Sequence, residues 1–322
     1  MNRHPVTQQR YAIRRLGVAT VLALGVFGAV RWVSSLTEDK AAGEAPPSSL
    51  GDSRPTVAAT GVPVADPTTV APTTLPPTER SGPPTEDEPA QVLVVGDSDA
   101  GVFGPYLEQV VDEWGVVEVT LEYVASTGLS RPEAHNWPRH LGELLSTTDP
   151  DIIVVTFGGN DAQALTEKCA NDAMDCLASN GPTDAVVGMP SADNEDEWSA
   201  EYGARIDEVM NIMLEGHEDR TIIWVGIPNA AEPEFTALLK IQDQAVRQAL
   251  EAYPQVTFVD TWAIFDGING GIAELVVDPR SGEAIPVRAR DGFHLNSDGA
   301  DILAIKVSDR VRTALEALGA EL

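Results

Sequence analysis

The chain has 322 residues, 43% of them hydrophobic, with 50 acidic side chains against 21 Lys and Arg and a formal net charge of −29. That length provides one sizeable domain with appendages. The charge argues against a nucleic-acid partner, because phosphate is repelled, and it disfavours anionic polymers for the same reason.

Taken from the N-terminus, Arg3, Arg10, Arg14 and Arg15 precede an apolar run over 16–30. A signal peptide carries about 7–15 apolar residues before a small-residue cleavage site, and a membrane span needs roughly 17–25. The run lies between these lengths. Arg31 can snorkel and Trp32 can anchor at the interface, and no clean cleavage site follows. Residues 1–36 are therefore expected to be an uncleaved signal-anchor, a single pass through the cell membrane with the rest of the chain extracytoplasmic. Cleavage and secretion is the alternative. Residues 37–90 are rich in Pro, Thr, Ala and Ser. Such a segment buries too little apolar surface to offset its conformational entropy, so a disordered tether is expected.

From Gln91 the texture changes. Apolar runs at 91–95, 117–125, 151–157, 221–227 and 256–260 read as strands. Helical periodicity is expected over 102–114, 137–145, 197–215, 235–252 and 297–318. Continuous apolar strands alternating with amphipathic helices predict a three-layer α/β/α (flavodoxin-like) domain over 91–322, with a five-stranded parallel sheet. The segment 276–287 reads as a β-hairpin beside the final loop.

Polar motifs follow three of these strands or precede the last helix. They are Gly96-Asp97-Ser98-Asp99, Gly158-Gly159-Asn160-Asp161 and Asp291-Gly292-Phe293-His294, with Ser126-Thr127-Gly128 after the second strand. In such sheets ligands bind outside the carboxyl ends of the strands. A serine hydroxyl needs a base to become a nucleophile. His294 is that base for Ser98, and Asp291 fixes the imidazole. The Ser98 and Gly128 N–H groups and the Asn160 amide are the candidate oxyanion donors. Gly128 is expected to allow close approach by substrate. Asp97, Gly158 and Asp161 complete the motifs as supporting residues.

Other groups read as structural. Cys169 and Cys176 lack zinc-type partners, and in an exported chain they are expected to pair as a disulfide. His135 and His140 read as surface or capping groups, and His217 as solvated. The acidic cluster Asp193, Glu195, Asp196 and Glu197 lacks calcium-loop spacing and reads as a solvated insertion. Trp137 is assigned equally to the pocket or the core. No metal site and no cofactor is expected. The turn at 96–104 fails the dinucleotide pattern, since Asp97 and Asp99 would repel a pyrophosphate.

The Ser, Gly, Asn and His blocks, in this order across 91–322, resemble the SGNH (GDSL-type) hydrolases. The segments at 126–138, 158–163, 222–228, 258–265 and 287–294 further resemble a bacterial envelope-associated subgroup. The resemblance implies Ser98 as nucleophile, Gly128 and Asn160 in the oxyanion hole, and Asp291 with His294 as the rest of the triad. One departure is Asp99, where the GDSL pattern has Leu. The expected function is an extracytoplasmic serine esterase or O-acyltransferase on acylated cell-envelope carbohydrate. A membrane acyl-donor protein is a partner implied by the resemblance. The alternatives are a lipid or thioester hydrolase, or a non-catalytic glycan-binding protein.

Overall fold

A computed structural model describes residue 80 and residues 82–167, 185–267 and 271–322. The apolar run at 16–30, most of the expected tether, and both cysteines lie outside the described residues. Among the described residues no helix is long and apolar enough to cross a membrane.

Five parallel strands form the sheet: β1 (Ala90–Gly96), β2 (Val117–Tyr123), β3 (Ile152–Thr156), β6 (Thr221–Val225) and β7 (Val256–Val259), in spatial order β2-β1-β3-β6-β7. These are the five strands expected from the apolar runs. Central strands need apolar side chains on both faces, and β1 and β3 supply them. Val92, Val94, Ile152 and Val154 face one layer, while Leu93, Val95, Ile153 and Val155 face the other. On the first face lie α1 (Ser98–Asp112) and α6 (Ser297–Ala317), contributing Phe103, Leu107, Leu303 and Val307. On the second lie α2 (Trp137–Leu145), α3 (Glu195–Leu214) and α4 (Pro233–Leu250), contributing Leu141, Trp198, Tyr202 and Val246. Each large apolar side chain fully buried in these layers contributes about 1.5–3 kcal/mol.

Several elements depart from the sequence reading. Helix α1 begins at Ser98 rather than Val102, because Asp97 caps it by accepting from the Asp99 N–H. Gly101 and Gly104 let this helix lie close on β2, since a Cβ on either would enter Tyr123 or Leu121. The acidic cluster is not an insertion. Glu195, Asp196 and Glu197 form the first turn of α3, where carboxylates favour the helix dipole. A short helix α5 (Thr261–Phe265) follows β7, capped by Asp260. A two-residue strand β4 (Leu165–Thr166) pairs with β5 (Ala185–Val187). The expected hairpin is present as β8 (Leu275–Val277) and β9 (Ala284–Pro286).

The fold also reaches back into the segment read as tether. The Arg80 guanidinium donates to both Asp151 oxygens at 2.8 and 2.7 Å and to the Glu88 and Pro89 carbonyls. The chain grows from β1 outward to β2 and then reverses to β3. Such a reversal opens a crevice at the carboxyl ends of the strands, and β1 and β3 border it here.

Candidate active site

The crevice is narrow because the two central strands close on each other at its floor. A Cβ on Gly96, at φ +154°, would lie 2.0 Å from the Thr156 carbonyl oxygen, so only glycine fits. The chain then turns through Asp97 into α1, placing Ser98 at the first helical position. Its N–H has no acceptor within the helix and stays available to an anion. Asp97 is fully buried. Besides capping α1, it accepts from the Gly158 and Gly159 N–H groups at 3.1 and 2.9 Å. One carboxylate thus ties the Ser block to the Asn block. Burial, then the charge of Asp99, pushes the Asp97 carboxyl well up, opposed by these N–H bonds.

Asp161 does the same for the Gly block. It accepts from the Leu129 and Ser130 N–H groups at 2.9 and 2.8 Å, and from the Tyr202 hydroxyl at 2.8 Å. Burial pushes its carboxyl up, and those bonds oppose the shift. Arg205, on the same face of α3 as Tyr202, donates to the Leu129 and Ser130 carbonyls at 2.8 Å each. Residues 129 and 130 are therefore gripped on both polar sides by buried charged groups. Gly128 has no Cβ because Asp161 Oδ1 would lie 2.1 Å from it. The glycine is therefore demanded by this carboxylate, whatever the substrate also requires of it.

Asn160 donates one amide N–H to the Thr127 carbonyl at 3.1 Å. The Gly128 N–H is antiparallel to that carbonyl across the same planar peptide and points the other way. The second Asn160 N–H and the Ser98 N–H are the donors left for an oxyanion. Trp137 is fully buried and belongs to the core. Its indole N–H donates to the Thr127 hydroxyl at 3.0 Å, which in turn donates to the Val124 carbonyl.

The loop between β9 and α6 brings the last block to this rim. His294 Nε2 lies 3.2 Å from Ser98 Oγ, across 196 residues of sequence. His294 Nδ1 lies 2.7 Å from Asp291 Oδ2. Asp291 Oδ1 accepts from the Phe293 and His294 N–H groups at 3.0 Å each, so the turn that carries the pair is held by one of its own members. Gly292 supplies the positive φ of +72° that the turn requires. Arg288 secures the loop from behind, donating to the Phe293 carbonyl at 2.8 Å and to Asn229 Oδ1 at 2.7 Å.

Burial pulls the His294 imidazole down. The Asp291 hydrogen bond and the charges of Asp99, Asp291 and Asp97 outweigh it and push His294 up to about 9. For Asp291, burial is overcome by the bonds from His294 and the Phe293 N–H, which hold its carboxyl below the usual range.

Among the described residues the other histidines are partnered. His135 Nε2 and His140 Nδ1 lie 2.8 Å apart, and His140 stacks on Trp137. His217, read as solvated, pairs with Asp149 at 3.0 Å. Tyr202 and Arg205 were not singled out from sequence. Their signal was an arginine on a helix face otherwise lined by Trp198, Tyr202, Ile206 and Val209. Among the described residues no cluster of His, Asp or Glu is arranged to hold a metal ion.

Solved structures of similar fold include a lipase/acylhydrolase from Enterococcus faecalis, 15% identical, covering 70% of this chain and 96% of that one with a TM-score of 0.44. A carbohydrate esterase family 3 protein from Talaromyces cellulolyticus is 13% identical, with coverages of 71% and 99% and a TM-score of 0.45. A family 3 carbohydrate esterase from Clostridium thermocellum is 16% identical, with coverages of 72% and 99% and a TM-score of 0.43. No curated protein matches the chain. A family model described as a protein of unknown function, DUF459, matches residues 91–310. With that match over most of its length, and with the Ser, Gly, Asn and His blocks meeting at one rim, the chain belongs to the DUF459 family, an SGNH-like hydrolase family.

Proposed function

We propose that the chain is an extracytoplasmic serine esterase or O-acyltransferase, acting on acylated cell-envelope carbohydrate through an acyl-Ser98 intermediate. The observation that carries the chemistry is the 3.2 Å contact between Ser98 Oγ and His294 Nε2, backed by Asp291 at 2.7 Å. With the imidazole neutral, Nδ1–H donates to Asp291 and Nε2 accepts the Ser98 proton as Oγ bonds to the acyl carbon. The carbonyl oxygen takes the negative charge, facing the Ser98 N–H and the free Asn160 N–H. Collapse breaks the bond to the leaving oxygen, which receives the proton from His294. In the second half, water or a sugar hydroxyl gives its proton to His294 and attacks the acyl carbon, and the same proton returns to Ser98 Oγ.

The carbohydrate substrate rests on the expected export and tether, which would place the domain at the wall. A membrane acyl-donor protein would be the partner for the transfer reaction.

The test is labelling by a serine-reactive phosphonate, with acyl transfer followed from a donor ester with and without a glycan acceptor. Ser98→Ala is expected to lose the label, and acceptor is expected to divert acyl groups from water to sugar. Equal labelling of wild type and Ser98→Ala would sink the proposal.

A further inference from the structure

Asp99 follows the nucleophile and takes no part in the steps above. Its residue is 6% exposed, and its Oδ2 is buried without a hydrogen-bond partner. An unpaired carboxylate oxygen in such a place is costly. The space around it is tight. A Cβ on Gly159 would lie 2.6 Å from Asp99 Oδ2, 3.3 Å from Asp97 Oδ2 and 3.4 Å from the Phe293 ring. The Phe293 ring meets the His294 ring edge-on, with centroids 4.9 Å apart. Asp99 thus lies in a dry seam between the nucleophile helix, the Asn block and the loop that carries the imidazole.

We propose that Asp99, buried and unpartnered between the start of α1 and the Phe293–His294 loop, is a positioning residue for His294, a further carboxylate behind the base that serves Ser98. The inference rests on the reading of Ser98 as nucleophile and His294 as its base. The charged groups facing the imidazole are Asp291 on its own loop, and Asp97 and Asp99 at the start of α1. Burial pushes the Asp99 carboxyl up; the charges of His294 and Arg288 oppose that shift, while Asp291 adds to it and Asp97 lies beside it. Arg288 is the cation that competes with the imidazolium for the Asp99 charge.

The consequence has two sides. Proton transfer from Ser98 Oγ needs a neutral ring. With His294 pushed up to about 9, the protonated ring is favoured at pH 7. The same field steadies the imidazolium formed in the tetrahedral intermediate, until it hands its proton to the leaving oxygen. Asp99 therefore trades activity at neutral pH for stabilisation of the charged intermediate. A Leu at this position, as in the GDSL pattern, provides neither effect.

The experiment titrates the His294 ring nitrogens by NMR in the full chain, comparing wild type with Asp99→Asn and Asp99→Leu. In parallel, phosphonate labelling of Ser98 is followed against pH. The ring is expected to titrate lower by about 1–2 pH units in both variants, within the range for loss of one nearby charge. Labelling at pH 7 should rise by about tenfold or more, as expected from that shift. An unmoved ring titration in the near-isosteric Asp99→Asn would overturn the proposal, whatever happens to the rate plateau. The ring titration needs no turnover. Failure of Ser98 to label at any pH, with the ring titration shifted as expected, would instead count against the hydrolase reading alone.

Discussion

Ser98 and the candidate oxyanion donors sit on loops tied down by buried carboxylates, whereas the Asp291–His294 pair rides on a partly exposed turn braced by Asp291 itself and by Arg288. Asp97 and Asp161 are fully buried, and each accepts N–H groups from distant loops. The side chains of His294 and Asp291 each keep 22% of their surface exposed. The first half is therefore expensive to disturb and rigid. The second is cheap to disturb and chemically adjustable. A hydrolase needs fixed donors for the oxyanion but a base whose proton comes and goes, and the two constructions match those demands.

The sharpest way to probe the difference is to separate chemistry from scaffold. Ser98→Ala should lower kcat for a p-nitrophenyl ester by about 10⁶, as for nucleophile removal elsewhere. Its unfolding free energy should change by less than about 0.5 kcal/mol, since the residue holds nothing else in place. Retained turnover above a hundredth of wild type would break the assignment. Asp291→Ala should follow, with kcat down about 10⁴ and stability lowered by about 1 kcal/mol for the turn it caps. Asp161→Ala should behave differently. It orphans the Leu129 and Ser130 N–H groups and the Tyr202 hydroxyl together. A loss of about 3–5 kcal/mol is expected in urea unfolding. If Asp291→Ala cost as much stability as Asp161→Ala, the contrast between the halves would collapse.

What was legible in the sequence follows the same division. The five strands announced themselves as apolar runs, because a strand buried on both faces tolerates no polar alternation. Ser98, Asn160 and His294 were legible as motifs, because each must stand at a strand end or just before a helix. The ties between loops were not. Asp161 meets Leu129 and Tyr202 across 32 and 41 residues, and no local pattern encodes such a pairing. The crowding at Gly128 was hidden for that reason, since the atom that forbids its side chain belongs to another block. The start of α1 was placed four residues late because Gly96 and Gly101 read as a Gly-rich turn ahead of the helix, although Asp97 as cap was there to be read. Trp137 was divided between pocket and core, and burial decides for core.

The smallest expected effect concerns pH, and it tests whether the adjustable half is also linked to folding. The folded-state His294 is pushed up to about 9, above its ordinary 6.5. A group raised in this way contributes stability that is fully present below about pH 6.5, and the contribution is lost as pH rises through about 9. The shift corresponds to a contribution of about 1–3 kcal/mol after allowance for partial exposure. Asp291 runs the opposite way. Its lowered carboxyl adds stability above its ordinary 3.8, lost as pH falls through its folded-state value. Thermal unfolding of wild type and His294→Asn should therefore converge above pH 9 and separate toward pH 6, with wild type the more stable. A constant gap across that window would mean that the imidazole gains nothing from its carboxylates on folding, and the electrostatic account of the pair, Asp99 included, would fall with it.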